Sequence, residues 1–150
     1  MKRVMITISA CLLLAASATA ESVSDFNIYA EIFGASAISN GIQSMVENQE
    51  VFDFTSDGCR IVFASENDEL NSIIIVGTGD KFLAYCAAAI MQFDKQSENR
   101  TINYGYLLSN YLLALGDTSG QDFIGSTVSG AIMSIKQEGD QYRFIILAVK

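Results

Sequence analysis

Apolar residues recur every three or four positions in the first patterned segment of the chain. The segment opens at Ser24-Asp25, a good helix start. Its first apolar stripe comprises Phe26, Tyr29, Ala30, Phe33 and Ala37. A second stripe, which widens the apolar face, comprises Ile28, Ile32, Ala35, Ile38 and Ile42. This spacing predicts an amphipathic helix that Asn40-Gly41 breaks or kinks, with a further turn through Met45 and Val46.

Three predicted strands follow, and each ends at turn-forming residues. They cover residues 51–55, 59–65 and 70–76. Ser56-Asp57-Gly58 separates the first two strands and is typical of a hairpin turn. The β-branched run Ile73-Ile74-Ile75-Val76 indicates a central strand that is covered on both faces.

Two helices and a closing hairpin are predicted in the rest of the chain. The helices cover residues 81–93, with Asp80 as N-cap, and 101–115, with Gly116 at the C-terminus. The hairpin joins residues 131–137 to 141–149, and residues 123–130 fit either a strand or a helix. The order α-βββ-αα-ββ predicts a single α+β domain, with an antiparallel sheet of about five strands on about three helices.

The first 20 residues have the layout of a cleavable secretory signal. Lys2 and Arg3 precede an apolar run over residues 4–16, and the segment ends in Ala18-Thr19-Ala20. A lipidated start at Cys11 is the alternative, but only about four residues of the apolar run would precede it, where a signal needs ~7–15. We therefore expect cleavage after Ala20, and a periplasmic or secreted domain made of residues 21–150.

Charge and composition exclude several classes of protein. The whole chain carries a net charge of −8, and loss of Lys2 and Arg3 with the signal would lower it to −10. Nucleic-acid binding is disfavoured because phosphate neutralisation needs a basic surface. Intrinsic disorder is excluded because 50% of the residues are hydrophobic. The absence of histidine excludes Ser-His-Asp, Cys-His and histidine-ligated metal sites within this chain.

Loss of the signal would leave two cysteines, Cys59 and Cys86. An even pair in an exported chain predicts a structural disulfide. Closing this loop would contribute about 3–4 kcal/mol of stability in the chain-entropy model. A redox-active pair and two unpaired thiols are the alternatives, although redox pairs usually have the Cys-x-x-Cys spacing.

No motif for a cofactor or a metal is complete. The turn Gly77-Thr78-Gly79-Asp80 could bind an anion at a helix N-terminus, but Phe82 stands where the dinucleotide fingerprint needs its third glycine. A plain strand–turn–helix connection is therefore favoured. Carboxylates that could support calcium binding or glycoside hydrolysis are Asp53, Asp57, Glu66, Asp68, Glu69, Asp117 and Asp122. None follows the EF-hand pattern, and their positions in turns favour solvated surface acids.

Serine chemistry is not supported by spacing either. Ser36, within Gly34-Ala35-Ser36-Ala37-Ile38, lacks the closing glycine of a nucleophile elbow. A Ser–Lys dyad could use Lys81, Lys95 or Lys136, and nothing selects one of them.

Aromatic residues are concentrated around the two predicted helices that follow the strands. Tyr104, Tyr106 and Tyr111, with Phe82 and Phe93, could line a pocket or pack a helix pair. The predicted helix at 101–115 also carries an apolar stripe. We expect this stripe to form the interface of a homodimer or heterocomplex, through Tyr104, Leu108, Tyr111 and Leu112.

These observations favour a small exported acidic binding protein that acts through protein–protein contacts. It would be an inhibitor, immunity-type or accessory module with a basic protein partner, because an acidic surface speeds association with basic partners. The alternative is a small-molecule-binding protein or a hydrolase that uses carboxylates and tyrosines. An enzyme is the less favoured class: no catalytic residue, cofactor or metal ligand is assigned, and no membrane span is expected.

Overall fold

The structure is a computed structural model that describes residues 18–93, 123–126 and 130–149. Two helices lie within these residues, α1 (Ala18–Ile32) and α2 (Gly79–Phe93). The strands are β1 (Ile42–Val46), β2 (Gln49–Ser56), β3 (Cys59–Glu66), β4 (Glu69–Gly77), β5 (Phe123–Ser126), β6 (Ile132–Glu138) and β7 (Gln141–Leu147). The predicted helix at 101–115 lies outside the described residues.

All the strands form one antiparallel sheet in the order β1-β2-β3-β4-β7-β6-β5. β4 is therefore central, as predicted, and its pairing with β7 joins the C-terminal hairpin to the first four strands. The α+β class is confirmed. The predicted count of about five strands on about three helices is not, since the described residues form seven strands and two helices.

Of the seven strands, β1 was not predicted as a strand, and the prediction for the residues of β5 allowed either a strand or a helix. β1 occupies residues that were predicted to extend the first helix, because the two-residue turn Glu47-Asn48 pairs it with β2. The segment 123–126, which fitted either a strand or a helix, is strand β5 and pairs with β6. Both are short, so their conformation follows from pairing with a neighbour rather than from a local pattern.

Helix α1 begins before the predicted Ser24 start and ends at Ile32, well before the predicted break at Asn40-Gly41. Gly34, at φ +88°, provides the stop. The N–H of Ala35 bonds to the carbonyl of Ala30 at 2.8 Å, and that of Gly34 to Glu31 at 3.0 Å, which is the Schellman pattern. Because the helix ends here, the expected second apolar stripe does not form, and Ile32 is 65% exposed.

The core lies between the sheet and the two helices, which contact each other and β4. Phe26 of α1 packs edge-on against Phe63 of β3, with ring centroids 5.2 Å apart. Phe63 also meets Phe54 of β2 edge-on, at 5.9 Å. Helix α2 is buried around almost its whole circumference, as its apolar sequence predicts. No helix in the described part of the chain is both long and apolar enough to span a membrane.

The sheet has an inner face, against the helices, and an outer face. On β4, Ile73 and Ile75 point inward and are fully buried. Ile74 and Val76 alternate with them on the outer face and are only partly buried. The described helices cover only the inner face of this strand, while Ser72 on its outer face is 9% exposed, so the predicted cover on both faces stays a prediction.

Candidate functional site

A polar cluster forms where the β2–β3 turn meets the α1–β1 connection and the first turns of α2. We call it the Asp57 cluster: Ser36, Asp57, Lys81 and Tyr85. Asp57 occupies a left-handed turn position at φ 51°, next to Gly58, and this two-residue hairpin turn aims its carboxylate toward the α1–β1 connection. Sequence separation concealed the cluster, because Ser36 lies 21 residues from Asp57 and Tyr85 lies 28 residues from it.

Each polar group in the Asp57 cluster has a partner within the fold. The backbone N–H and the hydroxyl of Ser36 donate to Asp57 Oδ2 and Oδ1 at 2.7 and 2.9 Å. The Tyr85 hydroxyl lies 2.9 Å from Asp57 Oδ2 and 2.8 Å from the carbonyl of Ser36, and its single proton serves one of them at a time. Lys81 Nζ donates to the carbonyl of Gly34.

The electrostatics of the Asp57 cluster oppose catalysis. Hydrogen bonds from the backbone and hydroxyl of Ser36, with help from Tyr85 and Lys81, hold the pKa of Asp57 below its ordinary value. Burial raises the pKa of Tyr85 to about 12. A carboxylate with a lowered pKa is a weak base, and a phenol with a raised pKa stays protonated at neutral pH. The cluster therefore does not activate Ser36 as a nucleophile.

The Asp57 cluster instead fastens the α1–β1 connection to the rest of the fold. Two residues further along, Asn27 of α1 holds the connection: its side-chain amide donates to the carbonyl of Ile38 at 3.1 Å and accepts from its N–H at 2.7 Å. The connection is thus tied at two nearby points by side chains from other elements. This satisfies backbone groups that no helix or strand pairs.

Tyr85→Phe should lower the free energy of unfolding by about 1–2 kcal/mol at neutral pH, because a buried hydroxyl bond is lost. In the unsubstituted chain, which we call the parent, the raised pKa of Tyr85 stabilises the folded state. This stabilisation is fully present at any pH below about 10, the pKa of tyrosine in an unfolded chain. That contribution is lost as the pH rises toward about 12. Urea titrations at neutral and alkaline pH measure both effects. If Tyr85→Phe loses as much stability at alkaline pH as the parent does, another group must cause that loss.

The two cysteines lie in the buried core beside the Asp57 cluster. Cys59 begins β3, Cys86 is on α2, and both are free thiols. Burial raises the pKa of both, and each thiolate would also face a nearby negative charge, that of Asp57 for Cys59 and that of Cys59 for Cys86. Because the structure holds separate thiols, it does not contain the predicted bridge, which stays a prediction for the exported chain.

The glycine turn before α2 is a strand–turn–helix connection, as favoured from sequence. Gly79, at φ +75°, starts the helix. Burial raises the pKa of Cys59, and a hydrogen bond from the backbone N–H of Thr78 opposes this rise, so this amide of the turn has a partner within the fold. Among the residues that the structure describes, no three cysteine or carboxylate side chains are grouped to hold a metal ion.

The outer face of the sheet carries an apolar row across its central strands. Val62, Ile74 and Ile145 stand side by side on β3, β4 and β7. Asp53 and Ser134 stand at the two ends of this row, and Ser72 lies beside it between Ala64 and Leu147. The other apolar residues of this face are Val51, Ala64, Val76, Ile132 and Leu147. The eight apolar residues form what we call the outer patch; six are partly buried, and Ile132 and Leu147 are each 45% exposed.

Acidic side chains gather at one end of the sheet. The β1–β2 and β3–β4 turns lie together there, and the residues near them form what we call the acidic rim: Glu47, Glu50, Glu66, Asp68 and Glu69. No lysine or arginine occurs in residues 47–50 or 66–69. Glu66 and Glu69 are direct cross-strand partners, an arrangement that costs stability.

Basic side chains lie toward the other end of the outer face. By register, Arg60, Val76, Arg143 and Lys136 form one cross-strand row. Two of these bases have acidic partners: Arg60 Nη2 lies 2.6 Å from Asp53 and Arg143 Nη2 lies 3.0 Å from Glu138. The outer patch is therefore bounded by an acidic rim at one end and a largely neutralised basic row at the other.

The residues predicted for the interface, Tyr104, Leu108, Tyr111 and Leu112, lie outside the described residues, as do Tyr106, Lys95, Asp117 and Asp122. Of the other aromatics, Phe82 is core and stacks on Tyr142, with centroids 6.1 Å apart, and Phe93 is partly buried. The outer patch was missed, although its signal was present: Val62, Ile74 and Ile145 occupy positions that alternate with the core residues. No protein-family model, curated protein or solved structure matches this chain.

Proposed function

We propose that this chain is an exported acidic protein that binds a protein partner through the outer patch. The observation that carries the proposal is the apolar row of Val62, Ile74 and Ile145 on a face that the described helices leave open. An antiparallel sheet that is packed on one side normally presents polar residues on the other. A contiguous exposed apolar surface on a small domain is typical of a protein–protein interface.

The charge distribution supports a basic partner docked in one orientation. The net charge of −8 attracts basic proteins from a distance. At close range, the acidic rim adjoins the end of the outer patch near Leu147, so basic side chains of the partner would gather there. At the opposite end, Asp53 and Glu138 largely neutralise Arg60 and Arg143, so the attraction for basic side chains is weaker there. This polarity supports an inhibitor, immunity-type or accessory role rather than non-specific adhesion.

The alternative function, small-molecule binding or hydrolysis, gains no support from the Asp57 cluster. The carboxylate, the hydroxyls and the lysine of that cluster are all bonded within the fold. A site that binds or activates a substrate needs polar groups directed at the substrate.

The test is affinity capture with tagged residues 21–150 from periplasmic extract, compared between two isoleucine-to-glutamate variants. Ile145→Glu places a charge in the centre of the outer patch. Ile32→Glu changes an exposed isoleucine on α1, away from the sheet, and is the matched control. We expect one protein to be retained by the parent and by Ile32→Glu, and to bind at least about tenfold more weakly to Ile145→Glu.

Capture should also weaken as the salt concentration rises, because salt screens the attraction between the acidic rim and a basic partner. Circular dichroism must show that both variants are folded. Equal retention by Ile145→Glu and the parent would reject the outer patch as the binding surface.

A further inference from the structure

The outer edge of β1 is open in the described structure. β1 is the first strand of the sheet and pairs only with β2 among the described strands. Its side chains are unusually exposed for apolar residues: Ile42 is 73%, Met45 62% and Val46 55% exposed. An open edge of this kind is a template for another strand.

The direction of the β1 backbone groups follows from its turn. In a two-residue hairpin the residues that flank the turn form a hydrogen-bonded pair, here Val46 and Gln49. Bonded pairs alternate along an antiparallel ladder, so Ser44 and Ile42 also bond to β2. The N–H and C=O groups of Gln43 and Met45 therefore point away from the sheet.

β1 lacks the features by which proteins protect an open edge. Its sequence, Ile-Gln-Ser-Met-Val, contains no proline and no charge. Its register with β2 runs without a bulge from Ile42 opposite Asp53 to Val46 opposite Gln49. The strand is thus regular and uncharged, which suits pairing with another strand.

We propose that β1 is the contact of a homodimer, in which it pairs antiparallel with β1 of a second copy about a two-fold axis at Ser44. This register places Gln43 of one copy opposite Met45 of the other, so that all their outward backbone groups bond across the interface. On the outer face, Ile42 comes to lie beside Val46 of the second copy. The contact is independent of the outer patch and joins the two sheets into one.

A second copy fits this edge because the strand is self-complementary. Ile42 meets Val46, the uncharged Gln43 meets Met45, and Ser44 meets itself. The nearest charged residue, Glu47, falls opposite Gly41 rather than opposite its own copy. Each copy carries a net charge of −8, so the two chains repel each other over longer distances. Added salt should therefore strengthen the dimer, the opposite of its expected effect on a basic partner.

Cysteine cross-linking tests the register. Residues that face each other in a non-bonded antiparallel pair have Cα atoms about 4.5 Å apart, within the range for a disulfide. Ser44→Cys should therefore form a covalent dimer under mild oxidation. Ser24→Cys, an exposed serine-to-cysteine change on α1, is the matched control and should form no covalent dimer.

The molar mass of the purified parent chain and of two Met45 variants, measured by light scattering, tests whether β1 forms the dimer contact. Met45→Pro removes an outward N–H without breaking a bond to β2, and should raise the dissociation constant of the dimer about tenfold or more. Met45→Val keeps the N–H and should remain dimeric. Ile145→Glu should also remain dimeric, which separates this proposal from that of the outer patch. A monomeric parent chain, or Ser44→Cys that cross-links no faster than Ser24→Cys, would overturn the inference.

Discussion

Phe63→Ala should lower the free energy of unfolding by about 3–5 kcal/mol, the usual cost of truncating a fully buried phenylalanine. Phe63 is 0% exposed and packs edge-on against Phe26 of α1 and Phe54 of β2. Its removal leaves a cavity where a helix and two strands meet. The effect is measured by urea denaturation followed by circular dichroism. A loss of this size approaches the whole stability of a small domain, so partial unfolding at room temperature is expected.

Val62→Ala is the matched control, since Val62 is the neighbour of Phe63 on the same strand and lies on the opposite face. It is only partly buried, so its truncation should cost about 1 kcal/mol or less. Phe63→Leu should fall between the two because it fills part of the cavity. Similar losses for Phe63→Ala and Val62→Ala would mean that both faces of β3 are equally covered in solution, which would also remove the basis of the outer patch.

Gly77→Ala should destabilise the fold by about 1–3 kcal/mol through overpacking. A Cβ at position 77 would lie 2.5 Å from the sulfur of Cys59 and 3.4 Å from its Cα. Cys59 is 1% exposed and packed on all sides, so the sulfur has little room to move. Without this contact the substitution would slightly stabilise the fold, because alanine in a strand is preferred to glycine. The close contact with Cys59 makes it destabilising instead. The measurement is a urea titration in reducing buffer.

The double variant Gly77→Ala/Cys59→Ala identifies the cause. Cys59→Ala removes the sulfur and leaves its Cβ, which lies 3.2 Å from the new methyl group. We therefore expect the double variant to be more stable than the sum of the two single losses predicts, by about 1 kcal/mol. Additive losses would show that the sulfur is not the obstacle, and that the strain lies in the backbone at the start of α2.

Several elements of this fold could be predicted from local sequence because their signals are local. Strands β2, β3 and β4 alternate in hydrophobicity and are bounded by turn residues, and their bounds agree with the predicted ones within two residues. Asp57 and Gly58 both have positive φ, as a two-residue hairpin turn requires. Helix α2 was predicted from an apolar run, and it is buried as that composition requires. It begins at Gly79, so Asp80 lies in its first turn rather than at the predicted N-cap position.

Other elements depended on contacts between distant parts of the chain. In β1, apolar and polar residues alternate less clearly than apolar residues recur at helical spacing in the segment before it. β1 is a strand because it pairs with β2. Gly34, by contrast, carried a local stop signal that the apolar spacing beyond it outweighed in the prediction. The Asp57 cluster joins residues 21 to 49 positions apart, and no spacing rule connects them.

The sequence by itself determined the α+β class, most of the strands, the second helix, the acidity of the chain and the absence of histidine chemistry. These follow from periodicity within a few residues and from composition, both of which are readable without contacts. Only the tertiary structure decided the strand order, the open edge at β1 and the outer patch. The physical reason is that a strand has two faces and two edges, and its sequence does not specify which of them the rest of the chain will cover.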